Sequence, residues 1–305
     1  FDSVGYNNKN ISKQGVFIAG ETPSITDTTF EKSFGGLILA GPKNTSLTNL
    51  RFRNNSNTGL MMVSGDNVVI SKSNASGNSG GFVFYLSSRV TLKDSEAYQN
   101  TFGSILVGSN RGKITNFKAT ACFLGVAIES SHNDTFGPFV NVSRSAIALS
   151  LNTSRDNIIA GDKLDFNGIG ISLNNSASNK ILMNTVSNAQ GTGIALTNSS
   201  RNEVGRNTVS GTTGTKAIYG MSLTDSSSNL IHNNTISKVT ATSEDSKGIS
   251  LTGSNGNVLI LNKIEGISTQ LYGYGISLGN SSKNTVIRNK VLNMSATSNS
   301  GNIFF

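Results

Sequence analysis

Five times in succession a glycine opens an alternating apolar segment, an asparagine follows nine residues later, and a second asparagine follows fourteen residues later. The glycines are Gly170, Gly193, Gly220, Gly248 and Gly275. The first asparagines are Asn179, Asn202, Asn229, Asn257 and Asn284, and the second are Asn184, Asn207, Asn234, Asn262 and Asn289. All ten positions are asparagine, although the residue makes up only 39 of 305, so composition does not explain the pattern. A repeat of this period points to a solenoid or array before any other reading. Upstream, Ala148 takes the glycine place, with Asn157 and Asp162 at the same two offsets. Before it come Gly36, Gly59, Gly81, Gly103 and Gly125, spaced by 23, 22, 22 and 22. "GVFIAG" from Gly15 and "GNIFF" from Gly301 read as partial units.

A unit of 22 or 23 residues is too short for paired helices, and its Asn, Ser, Thr and Gly content suits turns. In "GISLNNSASNKILMNTVSNAQ" the apolar residues fall in three short alternating pieces: Ile171/Leu173, Ile181/Met183 and Val186. Alternation places them on one face of short strands. Three strands per coil, always in the same order, predict an all-β chain folded as a parallel β-solenoid of about 12 coils of 22–28 residues. At about 4.8 Å per coil the rod would be roughly 58 Å long. The whole chain, 1–305, reads as one domain, with regular coils over 15–192 and coils carrying corner insertions over 193–305. The two asparagine columns are expected at the corners, because Asn tolerates left-handed backbone. Stacked coil on coil, their amides are expected to form hydrogen-bonded ladders.

Units such as "GISLTGSNGNVLILNKI" and "GISLGNSSKNTVIRNKV" resemble the parallel β-helix repeats of the pectate-lyase-like superfamily. They are most similar to its Asn-rich NosD-like, or carbohydrate-binding and sugar-hydrolase, repeats of surface proteins. The resemblance spans essentially the whole chain and implies a right-handed three-sheet β-helix. It says little about activity, because that fold hosts lyases, hydrolases, epimerases, adhesins and structural rods.

After Gly193 the spacing widens to 27, 28 and 27, and all the extra residues enter after the second asparagine. The inserts "SGTTGTKAIY", "SKVTATSEDSK" and "EGISTQLYGY" are expected to form loops in a lip along one edge. Tyr219, Tyr272 and Tyr274 fall there and are candidate carbohydrate-binding residues, with hydrophobic cover of the corner as the alternative.

Polysaccharide chemistry on such a face needs clustered ionisable groups: two carboxylates for a glycosidase, or a base with a cationic group for a uronate lyase or epimerase. Glu129, His132 and Asp156 are the richest cluster, with Glu129 expected to stack on Asn152. Against it, Asp134 and Asp162 fall on the asparagine columns as turn residues. The sequence also lacks Asp-Asp, Gly-His-Gly and Asp-Pro-His-Glu signatures. No catalytic residue is assigned outside that alternative, and no cofactor and no metal is expected. Arg89 and Arg111 share one offset on neighbouring coils, either as an anion clamp or as corner side chains.

Charged residues are 14% and hydrophobic residues 36%, yet only 3 prolines occur, so order is favoured over disorder. The +8 net charge is scattered singly and speaks against nucleic acid as partner. The lone Cys122 reads as a small core residue. No apolar run is long enough for a transmembrane segment. Twelve Asn-x-Ser/Thr glycosylation candidates occur: Asn10, Asn44, Asn54, Asn74, Asn133, Asn141, Asn152, Asn174, Asn198, Asn233, Asn280 and Asn293. The chain opens at Phe1 and closes on "SGNIFF" without a polar cap, which suggests an excised piece capped by flanking domains, or coils that stack end to end between subunits. The expected function is an extracellular or cell-surface structural or adhesive β-solenoid, with a self-assembling filament, sheath or surface-layer subunit as its sharpest form. The alternative is a polysaccharide-active lyase, hydrolase, epimerase or tailspike-like depolymerase, so polysaccharide stands beside self-association among the partners.

Overall fold

The computed structural model describes residues 15–20 and 24–304. They contain strands and no helix. All strand pairings are parallel, and the coils form a β-solenoid of about 12 turns, as the repeat predicts. The chain divides into two compact units, residues 1–146 and 147–305.

In the first unit, the first strand of successive coils runs over Gly35–Ala40, Thr58–Val63, Gly80–Tyr85, Phe102–Val107 and Leu124–Glu129. Their register is uniform: Leu37, Leu60, Phe82, Ser104 and Val126 share one column. The bore is aromatic. Phe30 stacks on Phe52 at 5.3 Å, and Phe52, Phe82 and Phe117 continue edge to face. In the second unit the bore is aliphatic, with Ile171, Leu173, Ile181 and Val186 all buried within one coil.

The asparagine columns run inside the second unit. Asn202 Oδ1 accepts from both the backbone N–H and the Nδ2 of Asn179, at 2.9 and 3.1 Å. Asn179 Nδ2 also donates back to Ser154 O at 3.0 Å. The same three bonds recur through Asn229 and Asn257, and again in the second column from Asn184 to Asn289. Each buried amide thus has acceptors for its donors and donors for its acceptor, as burial of a polar group requires.

These asparagines do not take the left-handed backbone expected of them. The left-handed residue is the one before each: Ser178, Met183, Arg201, Arg206, Ser228 and Asn233. The preceding residue turns the chain so that the asparagine points inward, and alternation rather than tolerance of positive φ sets its place. Asp134 and Asp162 are accordingly buried, not exposed turn residues.

Two ladders escaped the sequence reading. From Gly81 onward, a serine six residues after the glycine place accepts from the backbone N–H of the coil before: Ser87 from Gly65, Ser131 from Ser109, then Ser176, Ser199, Ser226, Ser254 and Ser281. In the first unit a third column, Asn55, Asn78 and Asn100, repeats the asparagine pattern at another corner. Cys122 continues that column as a buried thiol, donating to Thr120 O.

The insertions are not loops throughout. They lengthen strands, giving Thr235–Ala241, Lys263–Thr269 and Lys290–Ala296 in register, with Ser246–Thr252 and Tyr272–Gly279 extended to match. Val239, Ile267, Ala241 and Ile218 are buried there, so the extra residues enlarge the core and leave only short turns exposed.

Burial lifts the Asp134 carboxyl to about 7, against the lowering effect of the Gly112 N–H it accepts at 2.6 Å. The folded chain therefore holds this proton more tightly than the unfolded chain, whose carboxyl sits near 3.8. Stability is fully present below that value and is lost as pH rises through about 7. Denaturant unfolding is expected to show wild type losing ~2–4 kcal/mol relative to Asp134→Asn between about pH 5 and about pH 8. Parallel pH profiles for the two proteins would rule the carboxyl out as the source.

Candidate functional site

The third strands of the first unit carry an open groove on their outer face. The third-strand residues Arg51–Arg53, Asn74–Ser76, Glu96–Tyr98 and Lys118–Thr120 stand in register. Their middle residues, Phe52, Ala75, Ala97 and Ala119, point inward and are buried. The flanking residues therefore point outward in two columns. One reads Arg51, Asn74, Glu96, Lys118 and the other Arg53, Ser76, Tyr98, Thr120. All eight, with Ala97, line a groove of about 460 Å³. Three cations, one carboxylate and one aromatic ring, 46% exposed, share this surface.

The chemistry follows from that list. Neighbouring coils at about 4.8 Å set the groups close enough to contact successive parts of one extended polymer. Guanidinium groups bind carboxylate or sulfate oxygens in a fork, and an exposed tyrosine ring offers an apolar face with a polar edge. The lining holds one carboxylate, Glu96, so the groove lacks the pair that glycoside hydrolysis uses.

Sequence reasoning missed this groove because it sought carboxylate clusters, paired arginines and insertion tyrosines, and did not follow the outward columns of the third strands. The available signal was the recurrence of polar pairs fifteen and seventeen residues after Gly36, Gly59, Gly81 and Gly103.

Of the residues singled out from sequence, Glu129 and His132 lie in the first unit and Asp156 in the second. Glu129 ends its strand exposed and in register with Val107. His132 is half-buried and bridges in parallel to Asn110, and no hydrogen bond or ion pair joins it to Glu129. Asp156 lies in the second unit at a left-handed turn, 4.0 Å from Arg155, and Asn152 is in register with Asn174. Arg89 pairs with Asp66, which removes it from an anion clamp with Arg111.

Of the three tyrosines, only Tyr272 is freely exposed, at 45%. Tyr274 is 8% exposed and stacks on Phe304 with centroids 4.7 Å apart, so it covers the corner instead of presenting a sugar platform. Tyr219 lies under Lys247, whose Nζ is 5.8 Å from the ring centre. Burial, followed by the charges of Asp245 and Glu244, raises its hydroxyl above the usual range. Nine of the glycosylation candidates are exposed, while Asn74 and Asn152 are half-buried and Asn10 lies outside the described residues. Asn74 and Ser76 of one such motif line the groove itself.

Comparison with known proteins defines the class first. A profile described as right handed beta helix region matches residues 4–137, and solved structures share the fold. The A-module of mannuronan C-5 epimerase AlgE6 from Azotobacter vinelandii superposes with a TM-score of 0.56 at 13% identity, over 96% of this chain and 89% of that one. The periplasmic alginate epimerase AlgG gives 0.57 at 13% identity, over 90% and 78%. The Dettilon tailspike protein gp208 gives 0.55 at 14% identity, over 91% of this chain and 60% of its own length. These likenesses establish a right-handed parallel β-helix. The profile of the family described as periplasmic copper-binding protein (NosD) matches residues 124–304, more than half of the chain, and the protein belongs to that family. No match is found among curated proteins.

Proposed function

We propose that this protein works outside the cytoplasm, in the periplasm or beyond it, and binds an acidic polysaccharide along the groove of the first unit. The observation that carries the reading is the convergence of Arg51, Arg53 and Lys118 around Tyr98 and Glu96 in one groove. The names of the proteins that share its fold lend support: two are epimerases of alginate or mannuronan, polymers that bear a carboxylate on each sugar. The family description, a periplasmic protein, supports the location proposed. The expectation of a self-assembling structural or adhesive subunit draws no support from these comparisons, and the groove moves the reading toward polysaccharide engagement. Binding is the primary role. Glu96 is the one group in the groove placed to act as a base on a bound uronate, should turnover accompany binding.

The test is titration calorimetry with a polyuronate and with a neutral glucan of similar length. Wild type is expected to bind the polyuronate and to lose affinity as salt is raised. Arg53→Ala and Lys118→Ala are each expected to weaken binding about tenfold, the loss of one charge-assisted contact. Equal binding of both polymers, or unchanged affinity in both variants, would overturn the proposal.

A further inference from the structure

The family description attributes copper binding, and the donor set of this chain does not fit it. Copper sites are built from imidazole, thiolate and thioether groups brought together in numbers of about three or four. The whole chain has 2 histidines, 1 cysteine and 5 methionines. The stretch that matches the family, 124–304, contains no cysteine at all.

The few donors present are engaged, buried or without a second donor in register. His132 lies in the first unit and His232 in the second. His232 is engaged on both ring nitrogens: Nε2 lies 3.0 Å from Glu203 Oε1 and Nδ1 lies 3.0 Å from Asn233 Nδ2. Its ring packs over Gly205, where an added Cβ would come within 2.3 Å of Nε2. Cys122 is buried, and burial pushes its thiol up, which disfavours the thiolate a metal needs.

The methionines are equally isolated. In a β-helix, ligands from different coils meet by sharing a column or by standing in adjacent columns of one face. Met61 is in register with Ile38 and Val83, and Met62 with Leu39 and Phe84. Met221 is in register with Ile194 and Ile249, and Met294 with Ile267. Met183 occupies a left-handed corner whose next-coil carbonyl partner is Gly205. No group of three or more His, Cys, Asp or Glu side chains is positioned to hold a metal among the described residues.

We infer that this chain uses the β-helix of its family without a copper site, and that within the family the scaffold and the metal function are separable. The buried polar columns of the repeat are filled by the Asn and Ser ladders, whose hydrogen bonds consume their polar atoms. The inference does not depend on the polysaccharide reading.

The experiment uses the full chain, freed of metal, incubated with excess Cu(II) or with Cu(I) under reducing conditions, and desalted against a competing chelator. Elemental analysis is expected to find far less than one copper per chain, and the melting temperature is expected to be the same with and without copper, since a ligand that binds only the folded state must raise it. One equivalent of copper that survives the chelator, with a raised melting temperature, would overturn the inference. Loss of that copper in His132→Ala, His232→Ala or Cys122→Ser would then name the ligands.

Discussion

Asn202→Leu is expected to destabilise the protein by about 3–5 kcal/mol, among the largest single-residue effects in the chain. The substitution removes the Oδ1 that accepts from the N–H and the Nδ2 of Asn179, at 2.9 and 3.1 Å. It also removes the Nδ2 that donates to Ser176 O and to Asn229 Oδ1, at 3.0 and 3.1 Å. The Asn179 N–H is left buried without its acceptor, and each such group costs roughly 1–3 kcal/mol. Leucine is close in volume, so the loss reflects polar satisfaction more than a cavity. Asn174→Ala provides the contrast. Asn174 is exposed and holds Asn152 only by a long bond of 3.4 Å, so its loss is expected to cost no more than about 0.5 kcal/mol. Chemical denaturation of the two variants checks the difference. Equal costs would mean that the buried ladder contributes nothing beyond ordinary surface polarity.

The second large effect is expected at the glycine that opens each coil. A Cβ on Gly193 would lie 2.4 Å from Val209 Cγ1 and 2.5 Å from the backbone oxygen of Gly220. Valine can rotate or be trimmed. The carbonyl cannot withdraw without breaking strand pairing on either side of the coil. Gly193→Ala is therefore expected at the upper end of the overpacking range, about 3 kcal/mol. Adding Val209→Ala should recover only part of the loss, because the clash with Gly220 O persists. Gly191→Ala is the control: the nearest atom to its added Cβ is Gly168 O at 3.2 Å, so a small adjustment accommodates it. Melting temperatures of the three variants decide the matter, and a Gly193→Ala protein as stable as Gly191→Ala would show that the corner is not sterically closed.

The same columns show how far a sequence of this kind can be read. The glycine and asparagine places were legible because each is filled by a residue that little else can replace, the glycine by sterics and the asparagine by four simultaneous hydrogen bonds. Coil length and strand order followed directly. The placement of the asparagines on left-handed backbone did not, because tolerance of positive φ is only one reason to select Asn. Burial with matched donors and acceptors is another, and Asn179 obeys the second while Ser178 takes the turn. The serine ladder was visible as a six-residue offset, but Ser is common enough in this chain to be overlooked.

The groove was harder to read for a physical reason. Outward positions of a solenoid are free to vary in residue type, so Arg51, Glu96, Tyr98 and Lys118 share an offset and polarity but no residue identity, and acquire meaning only when register brings them side by side. Conversely, Glu129 and His132 lie three residues apart in sequence, yet no hydrogen bond or ion pair joins them. The insertion tyrosines illustrate a third limit. Strand extension buried Tyr274 against Phe304, which an insert read as a loop could not reveal.

The most direct test of the central claim is a crystal structure of the full chain with a uronate oligosaccharide. The sugar is expected along the third strands of the first unit, with its carboxylates at Arg51, Arg53 or Lys118 and a ring against Tyr98. An oligosaccharide bound elsewhere with that groove empty, at a concentration that saturates binding in solution, would contradict the account.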